Sequence, residues 1–401
     1  MTILTDIIHI LEYTILIYFG FGAIYILIFA LASMIKYKPI GKKDIRQRKT
    51  AVLIPGYKED AVIVDVAKQA MIQSYSKEQF DVVVIADSFQ SETLQKLNGL
   101  PIKVIEVSFV KSTKSKALNK AMEILGDNYE IACVLDADNI MAEDVLERIN
   151  EAFENGYKVV QGHRVAKNFN TSFAILDAVS EELNNNIFRK GHRVLGLSSA
   201  LIGSGMAFDY AFFKSTMKQV NAVGGFDKEL ELRLLKDKQK IEYLPDAIVY
   251  DEKIQKSDAF ANQRKRWLSA QFVYFRRYAL SGLFHLIFKG NIDFFDKVYQ
   301  MISPPRILLL GLVGIMTIAY WMIELLVPNA IQLAVTPLYW TIVCGITIVA
   351  FAFGIPRKFY NKETLMAILS LPKAFLIMFA SLFKLKGANK KFIHTQHGQQ
   401  A

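Results

Sequence analysis

Two aspartates, Asp136 and Asp138, close the apolar run "VLDADN". At the end of a buried strand such a pair repels itself unless a cation lies between the carboxylates. A hard divalent ion (Mg2+ or Mn2+) that also holds substrate phosphates resolves the conflict. The plainer alternative is that Asp138 caps a helix starting near Met141 while Asp136 is solvated. Asp87 ends the run "FDVVVIADS"; it could accept hydrogen bonds from a nucleobase or ribose, or be an ordinary turn aspartate. "TKSKALNKAM" brings Lys114 and Lys116 to a helix start, where lysine complements a diphosphate; a solvated face is the ordinary account. "GGFDKELELRLL" sets Asp227, Glu229 and Glu231 before an apolar helical pattern. These acids either complement a helix dipole or include a general base for an acceptor hydroxyl, and spacing does not choose. Gln263-Arg264-Lys265-Arg266-Trp267 poses a third question: a basic collar beside a membrane, a nucleic-acid patch, or part of an active site.

The elements that must position these groups alternate. "TAVLIPGY" and "FDVVVIADS" are short β-rich runs stopped by turn residues, and "IKVIEVSF" and "EIACVLDADN" follow, with a helix from near Lys114 to "ILGDNY" between them. The order strand, helix, strand, strand, helix, strand predicts an α/β domain with a mixed, largely parallel sheet. Ligands of such sheets bind at the carboxyl ends of the strands, where Gly56, Asp87, Asp136 and Asp138 fall.

Around this core the composition changes sharply. The 401 residues are 52% hydrophobic, but residues near 13–35, 307–327 and 336–355 are almost uncharged while 45–270 reads as ordinary globular sequence. Tyr13–Ile35 gives 23 residues without a charge, enough for one membrane span. A cleaved leader fits poorly, because Met1–Glu12 has no basic segment. The basic run Lys36, Lys38, Lys42, Lys43, Arg46, Arg48 and Lys49 predicts a cytoplasmic flank and an outside N-terminus. Ile307–Ile323 and Pro337–Ile355 are the next expected spans, with Pro328 and Asn329 in the turn between them. Tyr278–Phe288 and Leu365–Phe383 are expected to lie along the cytoplasmic face, since a span over the latter would place the basic tail outside. The expected domains are therefore a membrane helix at 1–36, a cytoplasmic domain at 37–277 and a membrane region at 278–401.

The net charge of +10 follows from basic clusters near anionic lipid, and no nucleic-acid recognition motif accompanies it. Two cysteines, Cys133 and Cys344, support neither a disulfide framework nor a zinc site.

In order along the chain, "LIPGYKED", "IADS", "KSKALN", "LDAD", "GSGMAF", "DKELELRLL", "YLPDAIVYDE" and "QRKRW" resemble membrane-bound family 2 glycosyltransferases, the group of cellulose, chitin and hyaluronan synthases. The resemblance covers about residues 50–270, and its most specific element is Gln263-x-x-Arg266-Trp267. It implies a GT-A (Rossmann-like) fold between membrane segments and an inverting, metal-dependent transfer from a nucleotide sugar, expected to be a UDP-sugar. Asp136 and Asp138 match the metal-binding acid pair. Pro55, Tyr57, Glu59, Asp87, Lys114 and Asp136 make up the implied donor site, although Lys114 lacks the glycine that precedes it in the family. Gln263, Arg266 and Trp267 match the element over the donor diphosphate and acceptor entrance. A guanidinium fork suits a phosphate leaving group, an indole gives a face for a sugar ring, and an amide serves its hydroxyls. Arg264 and Lys265 fall at free positions and are expected to be solvated or lipid-facing. Asp227 aligns with the base, with Glu229 as the second choice, but Phe226 stands where relatives carry glutamate.

The implied acceptor is a polysaccharide or a lipid-linked glycan, and membrane lipids are expected partners. Only three expected spans argue against a wide channel in one chain, so extrusion of a polymer would call on an oligomer or another synthase subunit. The rival from another class is a catalytically silent scaffold beside a second synthase, supported by Phe226 and the missing glycine. A transporter is weaker, since residues 13–35 and 337–355 carry no formal charge.

Overall fold

The computed structural model describes residues 2–39, 46–220, 222, 224–255, 257–326 and 333–384. Lys42 and Lys43 of the basic flank, the expected Pro328–Asn329 turn and the basic tail from 385 onward lie outside the described residues.

Eight strands form one sheet. In chain order they are β1 (Thr50–Tyr57), β2 (Phe80–Asp87), β3 (Lys103–Val107), β4 (Ile131–Val134), β5 (Ile140–Met141), β6 (Val159–Ala166), β7 (Met206–Asp209) and β8 (Glu242–Asp251). Their spatial order is β3-β2-β1-β4-β7-β6-β8-β5. The pairs β1–β2, β1–β4, β2–β3 and β6–β8 are parallel, whereas β7 runs antiparallel to both β4 and β6, and β5 to β8. The expectation of a mixed, largely parallel α/β sheet therefore holds. The register Tyr57↔Asp87 brings the carboxyl ends of β1 and β2 level.

Two local expectations change. A helix, Ser91–Asn98, joins β2 to β3, where the sequence reading passes from strand to strand. Its eight residues are mostly polar and bury only Thr93 and Leu97, so it leaves little periodic signal, yet parallel neighbours require a crossover. Nor does a helix start near Met141: Ile140–Met141 pairs with Val249–Tyr250, and the helix begins at Val145. Asp138 is therefore not that helix's cap.

The sheet has an apolar layer on each side. On one, Leu53, Val83 and Val134 pack with Leu118 and Leu230; on the other, Val52, Val84 and Cys133 pack with Ile63 and Ile149. Burial pushes the Cys133 thiol up to about 12, so it acts as a small apolar side chain rather than a nucleophile.

Three helices are long and apolar enough to cross a membrane: Ile3–Ser33, Arg306–Leu326 and Pro337–Gly354. The first starts well before Tyr13 and thus includes Glu12. That carboxylate is buried and accepts from the Tyr320 hydroxyl (2.7 Å) and the Ala334 backbone N–H (2.8 Å), which explains an acid in an apolar helix. Trp340 is fully buried among Phe19, Tyr320 and Val343. Residues 365–383 form parts of two helices, Lys362–Ile368 and Leu371–Leu382, bent by 45°. Tyr278–Phe288 proves to be the end of a 33-residue helix, Ser257–Lys289, that also carries Gln263–Trp267. The expected 277/278 boundary lies inside that helix.

Candidate active site

The strand ends are shaped by unusual backbone. Lys58 and Ser88, the residues after β1 and β2, hold left-handed φ values of 56° and 60°. That region is uncommon for non-glycine residues, and such strain is characteristic of functional turns. The two turns are stitched by the Lys58 N–H donating to the Asp87 carbonyl at 3.1 Å. The Asp87 carboxylate is buried and accepts from the Ser88 hydroxyl at 3.0 Å.

Thr113 caps the helix Lys114–Leu125 by accepting from the Lys116 N–H. A lysine at a helix N-terminus is unfavourable for the dipole, and Lys114 turns inward instead. Its ammonium donates to Asp136 Oδ1 at 2.5 Å and to the Gly203 carbonyl at 2.7 Å. Gly203 holds φ +85°, which a side chain would strain. Asp136 is further fixed by its backbone N–H, which donates to Ser204 Oγ at 2.8 Å. Asp138, nearly buried, accepts from the Asn139 amide, which also donates to Asp251 at 2.9 Å.

Gly225, at φ +66°, precedes the helix Phe226–Lys236, and a Cβ there would sit 3.2 Å from Ala270. The tight turn places Asp227 in the first helical turn, close to Gly203, and lays Phe226 under the Lys114 ammonium at 5.4 Å. Glu229 is on the opposite side. It is 1% exposed, accepts from Arg233 at 2.9 Å and lies 3.3 Å from Arg277. Two guanidinium partners hold its carboxylate away from the cavity.

One cavity of about 1150 Å3 gathers these pieces. Its walls include Pro55, Tyr57, Glu59, Asp87, Lys114, Asp136, Asp138, Asp227, Gln263, Arg266 and Trp267, but not Glu229. The cavity continues past the long helix to apolar side chains of Arg306–Leu326, Pro337–Gly354 and Leu371–Leu382.

Arg264 corrects the expectation of a solvated or lipid-facing charge. It is 6% exposed, donates to Asp177 at 2.6 Å, and lies between the rings of Phe260 and Trp267 at 4.7 and 4.5 Å. The aromatic sandwich and ion pair tie the long helix to Ser172–Asn184 and set the Trp267 indole. Burial lowers Arg266 from the ordinary guanidinium value, so an anion beside it would be favoured.

The sequence reading missed the network behind Asp136. Arg164, at the end of β6, reaches Glu181 at 2.8 Å, Asp251 at 3.6 Å and Asp136 at 4.0 Å. Lys253 pairs with Asp251 at 2.6 Å and Arg189 with Glu181 at 3.1 Å. Burial alone would lower Arg164, yet Asp251 and Glu181 hold it well above its ordinary value. The available signal was a charge inside an apolar strand, "VVQGHRVA", and acids within the apolar helix "SFAILDAVSEELN". Such charges need partners.

Among the described residues, no three His, Cys, Asp or Glu side chains form a ready metal cage. Asp136 and Asp138 fit an ion that takes the rest of its oxygens from a diphosphate and water, as Mg2+ commonly does.

The helical and sheet framework is similar to that of a mannosyltransferase from Pyrobaculum calidifontis, solved in complex with GDP-Man and Mn2+. That likeness has a TM-score of 0.50 at 14% identity, covering 84% of this chain and 96% of that one. A beta-monoglucosyldiacylglycerol synthase of Nostoc sp. is 26% identical over 231 residues, 54% of this chain and 47% of the relative. The glucans biosynthesis glucosyltransferase H of Rhodopseudomonas palustris is 31% identical over 134 residues, 30% of this chain and 19% of the relative. The matched regions thus span less than half the length of either relative. The family description "Glycosyltransferase like family 2" matches residues 47–270, more than half of the chain, and the chain belongs to that family.

Proposed function

We propose that the chain is an inverting, metal-dependent glycosyltransferase that moves a sugar from a nucleotide sugar, a UDP-sugar by preference, to an acceptor entering from the membrane side. The observation that carries this reading is the single cavity in which strand-end acids, Lys114, Asp227 and the Gln263–Trp267 turn face one another. Its volume of about 1150 Å3 exceeds that of most single-ligand sites, about 300–1,000 Å3, and suits a donor and an acceptor together.

Asp87 and the β1 turn would bind the nucleoside, and Asp136 and Asp138 would hold a divalent ion. When bound, that ion supplies charge stabilisation to the departing diphosphate. Lys114 already reaches Asp136, so it can follow the diphosphate as negative charge grows, and Arg266 offers a permanent cation on the other wall. Asp227 removes the acceptor hydroxyl proton while that oxygen bonds to the anomeric carbon from the face opposite the leaving group. The anomeric C–O bond breaks, its electron pair leaves with the nucleoside diphosphate, and configuration inverts. The GDP-Man and Mn2+ of the structural relative support a nucleotide sugar and a divalent ion. The lipid and glucan named for the curated relatives support a membrane-borne acceptor.

The experiment is a screen of nucleotide sugars for hydrolysis and transfer by the purified chain, with Asp227→Asn and Glu229→Gln alongside. Asp227→Asn should lower turnover roughly a thousandfold and leave nucleotide binding in place. Full turnover by Asp227→Asn would remove Asp227 from the role. No binding of any nucleotide sugar by the parent chain would favour the silent scaffold.

A further inference from the structure

We propose that the membrane end of the cavity seats the phosphate of an anionic phospholipid on Arg306 and Arg264, and that a hydroxyl of this lipid's headgroup is the sugar acceptor. The second half rests on the glycosyl-transfer reading above; the lipid site does not.

Arg306 follows Pro304 and Pro305 and opens the apolar helix Arg306–Leu326, so its side chain stands where the charged walls of the cavity give way to apolar ones. It donates to the Ser180 hydroxyl at 3.0 Å and the Ser180 carbonyl at 3.2 Å, and it lies over the Phe188 ring at 5.7 Å. No carboxylate of the described residues comes within 4.0 Å of it, and its Nη1 has no hydrogen-bond partner. Arg264, which faces the same cavity, spends one nitrogen on Asp177 and leaves Nε without a partner.

The neighbourhood holds a surplus of positive charge. Among the described residues, Arg164, Arg189, Lys253 and Arg264 pair with Glu181, Asp177 and Asp251, Arg306 pairs with none of these, and Arg164 comes within 4.0 Å of Asp136, which Lys114 already meets. Removing cations from water without counter-charge is expensive. An anion beside Arg306 would offset that cost, and phosphate matches a guanidinium fork well.

The donor diphosphate is badly placed to be this anion. Along the cavity wall Asp136 already has Lys114 and Arg164 as cations, and Arg164 is shared with Glu181, the neighbour of the Ser180 that Arg306 contacts. Free phosphate would leave the adjoining walls of Leu310, Ile315, Phe351, Phe375 and Met378 facing water. A phospholipid covers both: its phosphate meets the arginines and an acyl chain fills the apolar branch. Its headgroup then extends toward Asp227, which lines the same cavity.

The test uses the full chain in maltoside detergent, with retention of added lipid measured by native mass spectrometry. Dioleoylphosphatidylglycerol should be retained well above dioleoylglycerol, which has the same chains and a hydroxyl but no phosphate. Arg306→Gln should weaken phosphatidylglycerol retention roughly tenfold, and Arg306→Lys should restore part of it. Millimolar inorganic phosphate should not displace the lipid. Equal retention of the two lipids by the parent chain overturns the site even if Arg306→Gln fails to fold. Unchanged retention in a folded Arg306→Gln, or displacement by inorganic phosphate, overturns it as well. Radiolabelled sugar should appear on phosphatidylglycerol. Donor hydrolysis without that product overturns the acceptor assignment and leaves glycosyl transfer standing. Lipid retention by a chain that binds no nucleotide sugar would overturn the acceptor half through the underlying reading.

Discussion

At the strand ends Asp87, Asp136 and Asp138 crowd together with Lys114 as the cation held at 2.5 Å. Arg164, Arg189, Lys253, Glu181 and Asp251 come from a longer span of chain and close on one another through a ring of ion pairs. Both regions are built of charged side chains, aspartate and lysine in the first and arginine, lysine, glutamate and aspartate in the second. In the first region three carboxylates stand with Lys114 on the cavity wall; in the second nearly every carboxylate is already answered by protein. Charge answered inside the fold gives rigidity, and charge on a cavity wall is available to a ligand.

That contrast predicts opposite outcomes for two acid substitutions. Asp138→Ala should lower donor hydrolysis and transfer roughly a thousandfold, with the melting temperature almost unchanged; near-normal turnover without added metal would break the comparison. Glu181→Gln should instead act on the fold. Glu181 is 4% exposed and faces Arg164 and Arg189, and breaking such a buried network costs about 3–5 kcal/mol. Denaturant unfolding in detergent would measure it, and a stable, inactive variant would place Glu181 with the ligand-facing acids.

A finer test uses Glu182, which joins the domain to the segment after the third apolar helix. It contacts His163 at 3.0 Å and Lys358 at 2.5 Å. Burial would raise its carboxyl, but His163 and Lys358 bring it from 4.5 down to about 2. Because the folded value is depressed, this stabilisation is complete above pH 4.5 and is lost as the pH falls toward 2. Glu182→Gln should therefore cost about 1–2 kcal/mol near neutrality, and the gap from the parent should close on acidification. Melting curves from pH 7 to pH 3 check it; a gap that widens in acid would show that Glu182 is held by packing rather than by charge.

Much of the architecture was visible as pattern. β1, β2 and β4 are short apolar runs, β1 continuing in register through Pro55-Gly56 to Tyr57 and the other two ended by Asp-Ser and the aspartate pair, and the apolar helices are long stretches with few charges. Local composition specifies such elements because burial depends on side-chain type averaged over several residues. Ser91–Asn98 escaped because a short polar crossover has almost no apolar face. At 277/278 the backbone has no break, because Ser257–Lys289 continues as helix while its surroundings change.

The sequence by itself determined which residue types could do the work: the strand-end acids, Lys114, the acids after Gly225 and the Gln263–Trp267 turn. The tertiary structure separates Asp227 from Glu229, turning one toward the cavity and the other between Arg233 and Arg277. It also decided that Arg264 is buried in an ion pair and that Arg306 meets no carboxylate among the described residues. The physical reason is that a charge's role depends on its partners. Those come from segments up to about a hundred residues or more away in the chain, as Arg264 and Asp177 or Arg306 and Ser180 do, and no local pattern records them.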